Sequence, residues 1–392
     1  MRLGRVWLLG AVVGAALAAM AVLLAARTRA RAHQAEVQAN VLPEATGAIA
    51  EIAMHYVPLM EPLVAPAYTD FLRALPNDVH VRVVMARSSG PEARAMLGRF
   101  LDQIDPSGGW RDRTQVVETQ GPITTWSKDR ALVTGKQRPD GIALLVAPAE
   151  PSDAWPERHN DWATVAALAD ASHGMLLAEV APFDFDAGDF AATDAALIVD
   201  ANLIEKNRHR GLGDAIELRK RLAGWFHMPV IVLGTRPGDT PRHHLSMYMT
   251  PLDANVVLVG DPAQAARLVG NDFAPGEDSV DTGEALRADF SPETQRRFDR
   301  AADDLAARGF EVVRIPNVPF EDKTYFSYTN GVYETRDGRR IAYMPVYDEP
   351  ALDREARRIY EGLGWEVRPI RVRGIYAQHG TIGCLVNVLG RR

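Results

Sequence analysis

Covalent chemistry in this chain could start at its only cysteine. Cys384 lies in the segment GTIGCLVN near the C-terminus of the 392-residue sequence, and Gly380 and Gly383 precede it. A thiol becomes a nucleophile when a histidine or a positive environment favours the thiolate, and His243, His244 and His379 are available for this role. Glycines there would let the backbone bend and a ligand approach closely. A lone cysteine is, however, more often a small buried hydrophobic residue.

Carboxylates that could bind a planar cation occur in two places. Asp129 follows Trp126 by three residues in TTWSKDRALV, and Asp186 and Asp189 lie in the glycine turn FDAGDF. A carboxylate accepts two N–H groups from a guanidinium, and an aromatic ring can pack against the flat face of the cation. Taken singly, these residues also have structural explanations, namely a solvated charge run for Asp129 and an Asx turn for Asp186.

Alternating strands and helices are predicted to position these residues. The segment DVHVRVVMA at 78–86 has the period-two pattern of a strand, and Ser291 with Pro292 marks the start of a helix that ends at Gly309. Strand–strand–helix–strand units recur along the chain, and no Pro/Ser-rich linker divides them. One α/β domain over residues 46–392 follows, and its size favours a closed, repeat-like arrangement over a single open sheet.

Composition and charge exclude several functional classes. The chain is 47% hydrophobic and 24% charged, which is typical of a globular protein with a sizeable core. A formal net charge of −7 and the lack of a Lys/Arg stripe argue against a nucleic-acid partner. The sequence has no zinc-type Cys/His spacing and no Walker or Rossmann glycine pattern, so the common zinc-binding and nucleotide-binding classes are not indicated.

The N-terminus is predicted to direct the chain to a membrane. Residues 6–26 carry no charge and follow Arg2 and Arg5, and about 20 apolar residues are enough to span a bilayer as a helix. Residues 1–32 are therefore a signal anchor or a cleaved signal peptide, and residues 33–45 are a polar tether. Arginines directly after the apolar run favour the anchor. In both cases the domain is expected on the extracytoplasmic side, either membrane-anchored through the apolar run or secreted.

In their order along the chain, the motifs resemble those of the guanidine-modifying pentein superfamily. This superfamily includes agmatine, arginine and peptidylarginine deiminases, dimethylarginine hydrolases and amidinotransferases, and the resemblance covers nearly all of residues 60–392. The matching segments are WSKD at 126–129 for a W-x-x-D motif, DAGD at 186–189 for an acidic turn before a strand, His244 before a polar stretch and a strand, SYTNGVYE at 327–334, and Gly383-Cys384 before the last strand.

The resemblance implies both a fold and a covalent mechanism. The implied fold is a five-bladed α/β propeller of ββαβ-type units, preceded by the N-terminal transmembrane or signal helix. Cys384 is the implied nucleophile, Asp129 grips the guanidinium, and His244 transfers protons, with no metal ion or organic cofactor. The implied substrate-binding residues are Trp126, Asp186, Asp189 and Ser246.

Ser246 departs from the family pattern, because many deiminases have a second aspartate two positions after the histidine. The identity of the substrate therefore cannot be transferred from the family to this chain. The first hypothesis is an exported or membrane-anchored cysteine hydrolase of the deiminase type, acting on the guanidino group of arginine, an arginine derivative or peptidyl-arginine. The second is a pentein scaffold that binds a ligand or partner without turnover. An amidinotransferase is a minor third alternative, and the sequence does not indicate the oligomeric state.

Overall fold

The computed structural model describes residues 40–135, 142–321 and 323–392. The apolar run 6–26, predicted to be a membrane anchor or part of a signal peptide, lies outside these residues. Within the described ranges, no helix is both long enough and apolar enough to cross a membrane.

The described residues contain seventeen strands arranged in five sheets. In chain order the strands are β1 Ile49–His55, β2 His80–Ala86, β3 Thr114–Thr119, β4 Leu132–Val133, β5 Ala143–Ala147, β6 Leu176–Val180, β7 Ala191–Ala192, β8 Leu197–Asp200, β9 Val230–Leu233, β10 Met249–Pro251, β11 Val256–Asp261, β12 Glu311–Phe320, β13 Thr324–Ser327, β14 Val332–Arg336, β15 Arg339–Val346, β16 Trp365–Arg371 and β17 Val386–Arg391.

Helices connect the parallel strands and cover the sheets. The α-helices of the described ranges are α1 Glu61–Ala74, α2 Gly90–Ile104, α3 Gly109–Asp112, α4 Pro156–Asp161, α5 Thr164–Ala171, α6 Leu203–Asn207, α7 Ala215–Phe226, α8 Pro262–Val269, α9 Pro292–Ala306, α10 Pro350–Gly362 and α11 Ile382–Leu385.

The sheets repeat one arrangement. In β4-β5-β6 the first pair of strands is antiparallel and the second pair is parallel, and helices α4 and α5 connect the parallel strands. The same sequence of an antiparallel pair and then a parallel pair occurs in the first three strands of β7-β8-β9, β10-β11-β12-β13 and β14-β15-β16. Parallel neighbours need such a long crossover, whereas antiparallel neighbours can be joined by a short turn. The repeated unit is the ββαβ unit that was predicted.

The fifth sheet, β17-β1-β2-β3, joins the two ends of the domain. β17 pairs antiparallel with β1, so that Val386 lies opposite Met54 and Val388 lies opposite Ile52. β1 then pairs in parallel with β2. The last strand of the chain thus supplies the first strand of a ββαβ unit whose other strands come from the N-terminal part of the domain.

Helix α9 shows how local sequence builds the core. Ser291 is its N-cap and accepts a hydrogen bond from the backbone N–H of Thr294, as the Ser-Pro start predicted. The helix buries a stripe with helical spacing, formed by Phe298, Ala301, Ala302 and Leu305. This stripe packs against Val257 and Val259 of β11 in one apolar cluster.

Buried tyrosine hydroxyls fix the turn between β13 and β14. Tyr360 donates to the carbonyl of Tyr328 at 2.8 Å, and Tyr333 donates to the carbonyl of Thr329 at 2.9 Å. Both tyrosines are almost fully buried, and buried hydroxyls need such partners. The backbone on either side of Asn330 is therefore held by the core.

Residues 40–45 belong to the folded domain, so the predicted polar tether over 33–45 is wrong for this part. Val41 is buried, and the backbone N–H of Leu42 donates to the carbonyl of Val133 at 2.9 Å. Glu44 forms an ion pair with Lys128. The physical reason is that Val41 and Leu42 are apolar and extend the packing beside β4.

Candidate active site

The side chains of interest lie just ahead of the first strand in each ββαβ unit. Asp129 precedes β4 by three residues, Asp189 precedes β7 by two, and His244 precedes β10 by five. Asn330 precedes β14 by two residues, and Cys384 precedes β17 by two. The repeated topology therefore delivers one polar or reactive side chain from every unit to a common region.

Three of these side chains form a close triangle. The Sγ of Cys384, a ring nitrogen of His244 and a carboxylate oxygen of Asp129 all lie within 4.8 Å of one another. Cys384 and Asp129 are buried, and the side chain of His244 is 12% exposed. Distant parts of the sequence thus bring together a thiol, an imidazole and a carboxylate, groups that carry out acid–base and nucleophilic chemistry once a substrate draws them into hydrogen-bond distance.

Asn330 orients the thiol. The hydroxyl of Thr381 donates to Oδ1 of Asn330 at 2.8 Å, which leaves the Nδ2 group of Asn330 facing the sulfur of Cys384 at 3.3 Å. The backbone N–H of Lys128 also donates to the carbonyl of Cys384 at 3.1 Å. The nucleophile candidate is therefore tied both to the SYTNGVYE turn and to the WSKD segment.

The two glycines that precede Cys384 make room for neighbouring side chains. A Cβ at Gly383 would lie 2.4 Å from Oδ1 of Asn330, and a Cβ at Gly380 would lie 2.6 Å from the ring of Trp126. Neither glycine has a positive φ. The sequence suggested backbone bending or ligand approach at these glycines, but close packing of Asn330 and Trp126 is the reason the structure gives.

His243 and His244 have different environments. Nε2 of His243 donates to the carbonyl of His379 at 3.1 Å, and its Nδ1 accepts from the backbone N–H of His244 at 2.5 Å. Burial and the positive charge of His244 hold the pKa of His243 well below its usual value. His243 is therefore a neutral imidazole that positions the backbone of His244.

His244 itself lies between two carboxylates. Its Nε2 is 3.5 Å from Oδ2 of Asp186, and its Nδ1 is 4.0 Å from Oδ1 of Asp129. Burial alone would lower the pKa of His244, but the nearby charges of Asp129 and Asp186 outweigh it and raise the pKa well above 6.5. The imidazole is therefore protonated at neutral pH and can donate a proton.

We expect Asp186→Asn to lower the pKa of His244, because the substitution removes a negative charge and an acceptor beside the ring. In the wild type the imidazole stays protonated above pH 6.5. In the variant it should lose its proton at a lower pH than in the wild type. Titration of the His244 ring by NMR measures this shift without requiring turnover. An unchanged or raised pKa would contradict the electrostatic assignment.

Gly188 packs directly against His244. A Cβ at this position would lie 2.6 Å from Nδ1 and 2.7 Å from Cγ of the imidazole. The glycine of the DAGD turn is therefore required by the close approach of the histidine ring.

Gly188→Ala is expected to lower the turnover number by about 10²-fold, because displacement of a proton-transferring group by about 1 Å has an effect of this size. The control is Gly224→Ala, since that helical glycine has no atom within 4 Å of an added Cβ. Steady-state kinetics with a circular-dichroism melt would separate misplacement of His244 from unfolding. Equal activity of the two variants would contradict the proposed packing constraint.

Asp186 and Asp189 form a reciprocal capping box at the DAGD turn. Lys206 lies 2.8 Å from Asp186 and 2.6 Å from Asp189. Although burial would raise the pKa of Asp186, the charges of Lys206 and Arg158 hold it well below its usual range. Of this predicted substrate-binding pair, Asp186 contacts the catalytic candidate His244, whereas Asp189 mainly holds the turn.

Asp129 is already bound by an arginine that the sequence did not single out. Nη1 of Arg158, on helix α4, lies 2.8 Å from Oδ2 of Asp129, and Nη2 lies 2.6 Å from Oδ1 of Asp186. The other oxygen of Asp129, Oδ1, has no hydrogen-bond partner among the described residues. A substrate guanidinium therefore cannot bind both oxygens of Asp129, because Arg158 already occupies Oδ2.

The remaining predicted residues lie beside the triangle. The half-buried ring of Trp126 packs on Gly380 and against the apolar cluster that includes Cys384, and within the described ranges no arginine or lysine stacks on it. The hydroxyl of Ser246 accepts from Nδ2 of Asn330 at 3.0 Å. Ser246 thus contributes to the orientation of Asn330.

A cavity of about 250 Å³ opens at His244. Lys206, Arg242 and Lys323 lie at this opening together with Asp189. The cavity is large enough for a small ligand to reach the side of His244 that it exposes, and neither Cys384 nor Asp129 lines it.

Asn330, Arg158 and Lys206 were missed as site residues for different reasons. Asn330 lies in the quoted SYTNGVYE segment, and its position two residues before a strand matches that of Cys384, so this signal was present. Arg158 and Lys206 lie in short polar helices, and a single sequence does not distinguish a buried charge in such a segment from an exposed one.

Comparison with known proteins finds clear similarity in fold and little similarity in sequence. No family model matches the chain, and no curated protein matches it by sequence. Among solved structures, an agmatine deiminase from C. jejuni is 15% identical with a TM-score of 0.62, covering 90% of this chain and 97% of that one. An agmatine deiminase of Enterococcus faecalis is 13% identical with a TM-score of 0.64, covering 91% and 96%.

The chain therefore has the mixed α/β fold of the pentein deiminases, which confirms the resemblance inferred from the sequence motifs at the level of the fold.

Proposed function

We propose that the protein is a cysteine hydrolase of the deiminase type that acts on a guanidino group. The observation that carries the proposal is the convergence of Cys384, His244 and Asp129 within 4.8 Å from three distant parts of the chain. A pentein fold alone does not define an activity, whereas a thiol, a protonated imidazole and a carboxylate within 4.8 Å of one another indicate a reaction class.

In the first step, the free Oδ1 of Asp129 accepts a hydrogen bond from the substrate guanidinium, and the thiolate of Cys384 attacks the central carbon. The positive charge of the bound guanidinium favours the thiolate. Protonated His244 then gives its proton to the departing nitrogen, so that the C–N bond breaks and ammonia leaves. The enzyme now carries a thiouronium group on sulfur.

In the second step, neutral His244 takes a proton from water while the water oxygen bonds to the thiouronium carbon. The C–S bond breaks, the electron pair returns to sulfur, and the remaining proton of the water passes to solvent, where ammonia takes it up. A ureido product forms. The sum is guanidinium plus water giving a ureido group plus ammonium, so no oxidant or other co-reactant is needed. Every group in this scheme is a side chain of this protein, the substrate or water, so the scheme itself needs no metal ion or organic cofactor.

The test is a product assay on the purified full-length chain. Arginine, agmatine, methylated arginines and an arginine-containing peptide would be supplied separately, and ammonia or released methylamine would be measured together with the ureido product. Equal amounts of the two products, lost in the Cys384→Ser protein, are expected. Absence of both products with every substrate would refute the proposal, and products that appear only with an added amine acceptor would indicate an amidinotransferase.

One observation favours the second candidate, a scaffold that binds without turnover. Arg158 occupies Oδ2 of Asp129, which reduces the capacity of this carboxylate for a guanidinium ligand. The product assay separates the two candidates, because a scaffold gives no ammonia even when a guanidino compound binds.

The cellular location and the overall arrangement of the sheets also remain part of the proposal. The uncharged run 6–26 supports a membrane anchor or signal peptide, with the domain on the extracytoplasmic side. Protease treatment of intact cells would test this, since only an external domain is degraded. The five repeated sheets, closed by β17 against β1, support the five-bladed propeller.

A further inference from the structure

Arg158 provides the site with a guanidinium of its own. Its side chain is 10% exposed and lies among Asp129, Asp161 and Asp186, at 2.8, 3.5 and 2.6 Å. Charged side chains that are buried to this degree are rare unless paired, and here the partners include two carboxylates predicted to bind substrate.

Helix α4 holds Arg158 firmly in this position. Asp161, on the same helix, is fully buried and accepts hydrogen bonds from the backbone N–H and the hydroxyl of Thr124, at 2.8 and 2.6 Å. Thr124 precedes the WSKD segment, so the helix and the segment that carries Asp129 are fastened together. Arg158 is therefore a fixed part of the site.

We propose that Arg158 is a resident guanidinium that occupies the acceptor positions on Asp129 and Asp186. It thereby weakens the binding of guanidino substrates and discriminates among them. The inference rests on the proposed function, because it treats Asp129 as the group that binds a guanidinium. A substrate then reaches only Oδ1 of Asp129, which is the buried oxygen without a partner in the described ranges.

The charge balance explains how Arg158 selects among guanidino compounds. The carboxylates around the site are Asp129, Asp161, Asp186 and Asp189, and the four cations that contact them are Arg130, Arg158, Lys206 and protonated His244. Because positive groups already match the negative ones, an additional cation on the substrate is unfavourable. A guanidino compound whose tail has no net positive charge, such as arginine with its ammonium and carboxylate, is expected to bind more tightly than agmatine, whose tail carries only an ammonium.

Binding measurements in a Cys384→Ser background test this without turnover. Arginine and agmatine are the probes, and their dissociation constants are measured by calorimetry with Arg158 and with Arg158→Gln. We expect Arg158→Gln to tighten the binding of both probes by about tenfold, with the larger gain for agmatine. A purely structural arginine would give the opposite sign, because its removal disturbs Asp129 and weakens binding.

Two further variants complete the experiment. Arg158→Lys keeps the charge but cannot bridge both carboxylates, so a smaller gain in affinity of about threefold is expected. If Arg158→Gln does not fold, the measurement is made with Arg158→Lys. Arg130→Gln is the matched control, because Arg130 contacts Asp186 at 3.2 Å and backbone carbonyls. Because it leaves the contact between Arg158 and Asp129 in place, we expect only the smaller gain that comes from losing one positive charge.

The outcomes distinguish this inference from the proposed function. Probe binding that is unchanged or weakened in both Arg158 variants overturns the resident-guanidinium role but leaves guanidine binding intact. An equal gain in Arg130→Gln overturns the specific role of Arg158 in favour of a general charge effect. Failure of every guanidino probe to bind any variant, with the proteins folded, overturns both the inference and the proposed function.

Discussion

Cys384→Ser is expected to reduce guanidine hydrolysis by about 10³-fold or more, because a serine hydroxyl is a far weaker nucleophile than a thiolate. The substitution preserves the size of the side chain and an acceptor for the Nδ2 group of Asn330, which lies 3.3 Å from the sulfur. Substrate binding should therefore persist while the turnover number falls. Ammonia release under saturating substrate measures the loss.

The composition of the chain provides a clean control for this experiment. Cys384 is the only cysteine, so a thiol-reactive haloacetamidine can label no other thiol in the protein. Labelling of the wild type that is slowed by substrate would show that the thiol lies in the substrate site. A serine variant that retains more than about a tenth of the wild-type rate would contradict a nucleophilic role for Cys384.

His244→Asn is expected to lower the turnover number by about 10²–10⁴-fold, which is the usual contribution of a positioned general acid–base group. The imidazole lies 3.5 Å from Asp186 and close to the sulfur of Cys384, so one ring serves both proton transfers. Asn cannot give or take a proton in this pH range. Single-turnover kinetics would show slower formation and slower hydrolysis of the covalent intermediate.

The matched control for this variant is His80→Gln, because His80 is an exposed histidine at the start of β2. Its kinetics should equal those of the wild type. If His244→Asn and His80→Gln both retained full turnover with unchanged dependence on pH, proton transfer by His244 would be excluded, and a different residue would have to protonate the leaving nitrogen.

Local sequence patterns were sufficient for many of the elements. The alternation in 78–86 predicted β2, and the Ser-Pro start predicted α9, whose last residue precedes Gly309 by three positions. Both signals act over a few residues, because side-chain periodicity and capping are local properties. The pairing of β17 with β1 joins residues more than 300 positions apart, and no local pattern encodes such a contact.

The site was predictable only through the order of its motifs. Asp129, His244 and Cys384 each had a structural explanation when taken singly, and their proximity followed from the resemblance to the pentein superfamily. The resemblance was silent on Arg158, because a buried guanidinium among carboxylates depends on packing between segments. It also gave no account of Gly188, whose close contact with the His244 ring depends on the fold.

The central claim is that Cys384 forms a covalent bond to the carbon of a guanidino substrate. The most direct measurement is acid quenching of the wild-type protein during turnover, followed by mass spectrometry of the peptide that contains Cys384. The account predicts a mass increase equal to the substrate minus ammonia, absent from the Cys384→Ser protein. An unmodified cysteine with every guanidino substrate, in a protein that still releases ammonia from one of them, would contradict it.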